Sequence, residues 1–470
     1  MGELGGTNRT MSACSLVVDR LRTGGLWRTR TLKPDGKRCH LVSPEPFTIS
    51  RSLLGQLEAL GPALLGFYIA ANDLYLKGPI WVRDYLDRGK SEEIIRYSRA
   101  NFYKHSVPMV IRPDVLLRED GPFITELDSV PGGIGHLHCL SAAYEEIGFD
   151  LIGSPNGMRN AFAEAIRGIT GLPDPACAIV VSDESEDYRP EMNYLAEQLR
   201  SSGFRAFCVH PREVVFSEEG LFVCHDNERV RLDLIYRFFE LFDLPNVPKA
   251  ELIAYAAKKR TATITPPFKH HLEEKLLLAL LHHAGLSDYW SYKLGEESFE
   301  LLRRVIAPTF VLDNRPVPPH AEISGFWWRD KPLRDWRELA TAGQRERRLV
   351  IKPSGYSPLA WGSRGVKVGH DLSQDAWAAA LSEALDAFDH LPYVLQPFCE
   401  TSLSKVRYQD TRSEEVGEME ARVRLCPYYF VVDGQARLAG VLATACPKDK
   451  KLIHGMEDAV MAPCRLAEES

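Results

Sequence analysis

The stretch RPDVLLREDGPFITELDSVPGG, residues 112–133, constrains the fold more than any other part of the chain. Val115, Leu117, Phe123, Thr125 and Leu127 alternate with polar residues on either side of Glu119-Asp120-Gly121, the pattern of two strands joined by a tight turn. A three-residue loop with Gly121 in the left-handed position sets Asp114 opposite Glu126 and Arg112 opposite Asp128. Residues two apart share a face, so these four charged groups emerge together, with Val115, Leu117 and Leu127 on the other side. A two-residue turn would slip the register and separate them. Three carboxylates this close repel one another unless a cation lies among them. A hard divalent ion such as Mg²⁺ takes oxygen ligands and fits that need; a solvated face with a local Arg–Asp pair is the plain alternative.

With 470 residues, 45% of them hydrophobic and 26% charged, the chain has the composition and length of two or three globular domains with substantial cores. Its 57 basic residues against 64 acidic ones leave a net charge of −7 and no basic domain, which disfavours nucleic acid as a partner. The ten cysteines are scattered singly without a C-x-x-C pair, the usage of a reducing compartment. MGELGGTNRTMSACSLVVDRLRTGG lacks a sustained apolar run, and no later stretch approaches the 18 or so apolar residues of a membrane span. A cytoplasmic protein without membrane contact is expected.

Residues from about 50 to 100 read as helical, with SEEIIRYSRANF opening on a serine cap. ACAIVVSDE is a buried strand, EMNYLAEQLRSSGF a helix and RAFCVHP a second strand, which predicts a small Rossmann-like α/β unit over about 155–245. It has no G-x-G-x-x-G and does not imply a dinucleotide. ITPPFKHHLEEKLLLALLHHAGL predicts an amphipathic helix after two prolines. YVLQPF reads as a short strand, and ARVRLCPYYFVVDGQARLAGVLATAC as a hairpin turning at Asp433-Gly434.

Lys352 ends the apolar strand RRLVIK and opens a glycine-rich loop, SGYSPLAWGSRGVKV. Glycines let backbone amides approach a phosphate, while Lys352, Arg364 and Lys367 supply positive charge; an ordinary snorkelling lysine is the alternative for Lys352 alone. Lys275, just past Glu273 and Glu274, fits either a phosphate contact or a surface salt-bridge ladder. His136 and His138, and His270 and His271, lack the i, i+4 spacing of a helical zinc site and read as packing or surface groups.

Taken in this order, the pieces resemble the circularly permuted ATP-grasp ligases, and most closely the glutathionylspermidine synthetase-like family. The resemblance runs over roughly 105–470 in four blocks. RPDVLLREDGPFITELDSVPGG is similar to the family's R-x-D…G…E-x-N-x-D-x-P segment, LDLIYRFFELF to its D-x-I-Y-K…E stretch, ITPPFKHHLEEKLLLALL to its E-P-P-W-K…N-K-A-L-L block, and LVIKPSGYSPLAWGSRGVKV to its strand and glycine-rich lid. The resemblance implies an α/β (α+β) ATP-grasp fold: 1–154 with the hairpin of the permuted core, 155–245 as a pre-ATP-grasp unit, and 246–470 as the nucleotide-binding lobes. It implies ATP and Mg²⁺ as cofactors, with a small-molecule carboxylate (an amino acid or peptide) and an amine joined as an amide through an acyl phosphate. Asp114, Glu126 and Asp128 would hold Mg²⁺, Arg112 would act on the transferring phosphoryl group, and Lys275, Lys352, Gly362, Arg364, Gly365 and Gln396 would bind nucleotide. Ser129 and Glu240 fall at substrate positions. Asp128 stands where the family has asparagine. Where the family has a C-terminal arginine this chain reads AGVLATACPKDKKLIHG, so that either Lys448 or Lys450 stands in or the acceptor carboxylate is held differently. The alternative function is a nucleotide-binding ATP-grasp protein that serves as a partner or scaffold without catalysis.

Overall fold

The computed structural model describes residues 3–27, 41–153, 156–318, 321–360, 362, 364–411, 415–453 and 458–468. Its largest element is an eight-stranded, mostly antiparallel sheet that contains the carboxylate hairpin. The hairpin strands Val110–Arg118 and Gly121–Asp128 pair with each other, and the first also pairs with the long strand Glu415–Val432. That strand returns through Asp433 and Gly434 into Gln435–Pro447, as the sequence predicts. Both turn residues have positive φ, 51° and 75°, the backbone that a two-residue hairpin with the native twist requires. Leu403–Asp410 and Val460–Leu466 flank this pair.

The helix Arg51–Lys77 lies across the sheet, starting at Ser50, whose hydroxyl accepts the Leu53 N–H. Leu57, Leu60, Leu64, Phe67 and Tyr68 are fully buried, each worth ~1.5–3 kcal/mol of apolar transfer or somewhat less for the tyrosine. Gly61 sets the distance of closest approach: a Cβ there would come within 2.8 Å of the Ala436 carbonyl and 2.9 Å of the Tyr429 ring. By length and composition this helix could cross a membrane, but half of its most apolar stretch is buried inside the protein.

A second sheet is wholly parallel, in the order Thr263–Thr265, Leu234–Phe238, Cys177–Val181, Ala206–Val209. Every residue of Cys177–Val181 is buried, as expected for a strand covered on both faces. One face packs on the helices Ile134–Glu146, Gly157–Thr170 and Arg189–Ser201, the other on Ala250–Lys259. The sheet runs past residue 245 to take in Thr263–Thr265, and a three-stranded antiparallel sheet over 215–232 is appended to it.

The third sheet is antiparallel, with Phe310–Val311, Tyr393–Pro397, Leu349–Pro353 and Lys367–Val368 side by side. Gln374–Asp386, capped by the Ser373 side chain, packs on it through Trp377, Leu381 and Leu385. The helix expected after Pro266-Pro267 is shorter than its pattern suggested. It spans only Leu276–His282, and Leu276 through Leu281 are all buried, so it is an internal helix and not an amphipathic one. The described cysteines are free, and Cys39 lies outside the described residues.

Candidate functional site

The hairpin reaches the expected face by an unexpected route. Its turn holds two residues, Glu119 and Asp120, and Gly121 already belongs to the second strand. Near the turn Leu116 therefore pairs with Phe123 and Val115 with Ile124. A bulge follows: Thr125 is the extra residue, and beyond it Asp114 faces Glu126 and Arg112 faces Asp128. The two-residue turn slips the register and the bulge restores it just where the charged residues begin. Ile124 consequently joins Val115 in the main hydrophobic cluster, Phe123 is buried apart from it under the Arg118 guanidinium, and Thr125 lines a cavity of about 290 Å³ beside the charged residues.

Each hairpin carboxylate meets a cation. Arg112 Nη2 lies 2.8 Å from Asp128 Oδ2 and 3.3 Å from Asp114 Oδ1, and its Nη1 donates to the Gly132 carbonyl at 3.0 Å. Lys275 Nζ is 2.6 Å from Glu126 Oε1. Arg424, on the long neighbouring strand, donates to Asp114 Oδ2 at 2.8 Å, and Cys426 Sγ is 3.5 Å from Oδ1. Burial works against the Asp114 carboxylate, but Arg424 and Arg112 outweigh it and hold its pKa below the ordinary value. At Asp128 burial prevails over Arg112 and the pKa is raised. Among the described residues no three His, Cys, Asp or Glu side chains gather to hold a metal ion unaided. Mg²⁺ bound with a nucleotide needs only one or two carboxylates, because phosphate oxygens and water complete its shell. Glu126 and Asp128, with side chains 38% and 31% exposed, suit that arrangement; Asp114, at 10% and held by two arginines, is the most enclosed.

Lys352 stands in the third sheet opposite Val394 and lines the same cavity. Burial draws its pKa down to about 8 against the pull of Glu126, and its ammonium makes no hydrogen bond or ion pair with a described residue. Lys275 is held by the loop that follows Lys352: its N–H donates to the Ser354 carbonyl at 2.9 Å, the Leu276 N–H to Ser354 Oγ at 3.0 Å, and Ser354 Oγ to Glu274 Oε2 at 3.0 Å. Glu274 is paired with Lys90 at 2.7 Å in near-complete burial. The two lysines are thus positioned as a unit.

Gln396 reaches the cavity wall, with Nε2 on Thr309 Oγ1 at 2.9 Å. Gly362, with φ at +57°, lies over the cavity. Gly365 packs so tightly that a Cβ would meet Pro353 at 2.6 Å and the Leu359 carbonyl at 2.8 Å. Arg364 points elsewhere, 58% exposed and 3.9 Å from Glu184. Ser129 and Glu240 are outside the residues lining this cavity. Ser129 Oγ bridges Tyr68 and the Leu272 carbonyl at 2.9 Å each, and Glu240 precedes the short helix Leu241–Asn246.

Sequence reasoning missed Arg422, Arg424 and Lys451, which also line the cavity. Lys448 instead pairs with Glu420 on the exposed surface. Arg422 and Arg424 alternate with Val423 and Leu425, whose burial puts the arginines on the open face; that alternation was the available signal. A second cavity, of about 340 Å³, adjoins the first and shares Arg112, Arg424, Tyr188 and Gly362 with it.

No protein-family profile and no curated protein matches the sequence. Among solved structures, the chain is similar to a glutathione synthetase-like effector from Globodera pallida at 13% identity and a TM-score of 0.58, covering 99% of this chain and 98% of that one. A protein from Methylobacillus flagellatus titled "Putative gamma-glutamylcysteine synthetase" aligns at 11% identity and a TM-score of 0.40, over 79% of this chain and 83% of that one. The architecture is therefore similar to the fold of that glutathione synthetase-like effector, at low sequence identity.

Proposed function

We propose that the protein is an ATP- and Mg²⁺-dependent carboxylate–amine ligase of the circularly permuted ATP-grasp type. One observation carries the reading: Arg112, Lys275, Lys352, Arg422, Arg424 and Lys451 converge on one cavity against only three carboxylates, an environment for a polyanion such as a nucleoside triphosphate. The glutathione synthetase-like fold supports it. In this reaction ATP phosphorylates the acid, and the amine attacks the acyl phosphate to leave an amide, ADP and phosphate. Lys275 and Lys352 neutralise phosphate charge, and Arg112 steadies the transferring group. Mg²⁺ held by Glu126 and Asp128, with Asp114 behind them, would offset the charge that develops on the phosphates. Asp114 aims the Arg112 and Arg424 guanidiniums, and the lid read over 354–365, of which Trp361 and Ser363 lie outside the described residues, would keep water from the acyl phosphate.

The test is phosphate release from ATP and Mg²⁺ in the presence of paired acids and amines. Release that requires both an acid and an amine supports ligation. Nucleotide binding without amine-dependent ADP formation would make the protein a non-catalytic nucleotide-binding scaffold and refute the ligase.

A further inference from the structure

The second cavity differs in chemistry from the first. Leu26, Val42, Leu140, Tyr428, Leu442 and Met461 dominate its wall, all buried except half-buried Met461, and they come from six separate segments of the chain. The helix Ile134–Glu146 begins beside it, and two of the amides there are taken: Glu191 accepts the Gly133 N–H at 2.8 Å and the His136 N–H at 3.1 Å. Three arginines line this cavity: Arg364 is exposed, while the half-buried Arg112 and Arg424 form the wall shared with the charged cavity. Both guanidiniums are aimed from behind by Asp114.

We propose that this cavity holds the acid, and that the acid is a monocarboxylate with an apolar body. Its carboxylate would sit at Arg112 and Arg424, next to the phosphate-binding cavity, and its aliphatic or aromatic part would fill the apolar side. A volume of about 340 Å³ is at the small end of ligand pockets and accommodates a medium-chain or aryl-alkyl acid. A second carboxylate on the body would lose its hydration against Leu140 and Leu442, and beyond Arg112 and Arg424 the lining offers it only the exposed Arg364, beside the carboxylates Asp187 and Glu191.

The inference rests on the ligase reading for the fate of the acid, but it can be tested without turnover. Titration calorimetry on the full chain, with no nucleotide, compares octanoate and 4-phenylbutyrate with glutarate, glutathione and octanamide. At least tenfold tighter binding of the two apolar acids than of glutarate, glutathione or the uncharged amide is expected. Met461→Trp, which fills the apolar side, should weaken octanoate at least tenfold and leave ATP binding unchanged. Equal affinity across the series overturns the proposal, as does an undisturbed octanoate affinity in folded Met461→Trp. Should that variant fail to fold, the selectivity of the unaltered chain decides alone. ATP binding without apolar-acid selectivity sinks this inference and spares the ligase; selective octanoate binding with no ATP binding does the reverse.

Discussion

Burial lowers the pKa of Lys269 and of Lys352, and the surroundings of the two could hardly differ more. Lys269 is fully buried, and Nζ donates to Asn72 Oδ1 at 2.7 Å and to the Ser106 carbonyl at 2.9 Å. Around it His271 stacks on Tyr75 at 3.9 Å, and His270 bonds to Ser98 at 2.8 Å and approaches Asp87 at 3.2 Å. Burial lowers the Lys269 pKa to about 7. Lys352 is lowered by the same cause to about 8, yet it makes no bond to a described residue and opens onto the charged cavity. An internal charge with protein acceptors serves the fold. One held without acceptors beside a cavity waits for an anion.

Changes on the cavity side should alter chemistry far more than stability. Glu126→Ala should lower turnover by orders of magnitude, since metal stabilisation of a transferring phosphoryl group is worth several kcal/mol and each ~1.4 is tenfold. The double change Glu126→Leu with Leu127→Glu keeps the net charge but turns the carboxylate to the opposite face, and it should be equally inactive. Near-normal Mg²⁺-dependent ATP turnover in either variant would make the three carboxylates a merely solvated face.

Lys352→Met removes a charge-assisted contact worth roughly 1.5–3 kcal/mol, so ATP affinity should fall about tenfold to hundredfold by calorimetry on folded protein. Lys269→Met should leave ATP affinity within about twofold. If the two variants behave alike, the distinction between fold lysine and site lysine is lost.

The next difference lies in stability against pH. A lysine whose folded pKa is depressed binds fewer protons folded than unfolded between that pKa and its ordinary value of 10.5, so stability rises with pH across the interval and the full cost is felt below it. For Lys269 the rise spans about pH 7 to 10.5, and urea melts of Lys269→Met should show a shallower rise there than the unaltered chain. A slope unchanged by the substitution would mean that Lys269 does not carry the buried charge.

The smallest effect is the most selective. An anion in the cavity restores charge to Lys352, so ATP binding at pH 8.5 should take up roughly half a proton or more, read from calorimetry in two buffers of different ionisation enthalpy. Lys352→Met should abolish most of this uptake and Lys269→Met none of it.

The parts of the molecule legible in the sequence are those set by near neighbours along the chain. Alternation named both strands of the carboxylate hairpin, the Asp433-Gly434 turn announced itself, and Ser91 caps its helix as its position suggests. The pattern around Leu276 misled because a helix buried on all sides has no polar face to mark its length. The parallel sheet passed its expected end because Thr263–Thr265, only three residues long, is a strand by virtue of its pairing with Leu234–Tyr236.

What the sequence determined by itself is which residues could bear the chemistry: Arg112, Asp114, Glu126 and Asp128 on one ribbon, with Lys275 and Lys352 at the ends of apolar segments. Their partners were a tertiary decision. Arg424 is 310 residues from Asp114, and only pairing of the long strand with the hairpin brings them within 2.8 Å. The bulge at Thr125 belongs to the same class, because a two-residue turn and a shared charged face are compatible only if one strand carries an extra residue, and packing of Ile124 beside Val115 selects which one. Local periodicity records the direction in which a side chain leaves its own strand. The charge it finds there depends on which distant strand the fold lays alongside.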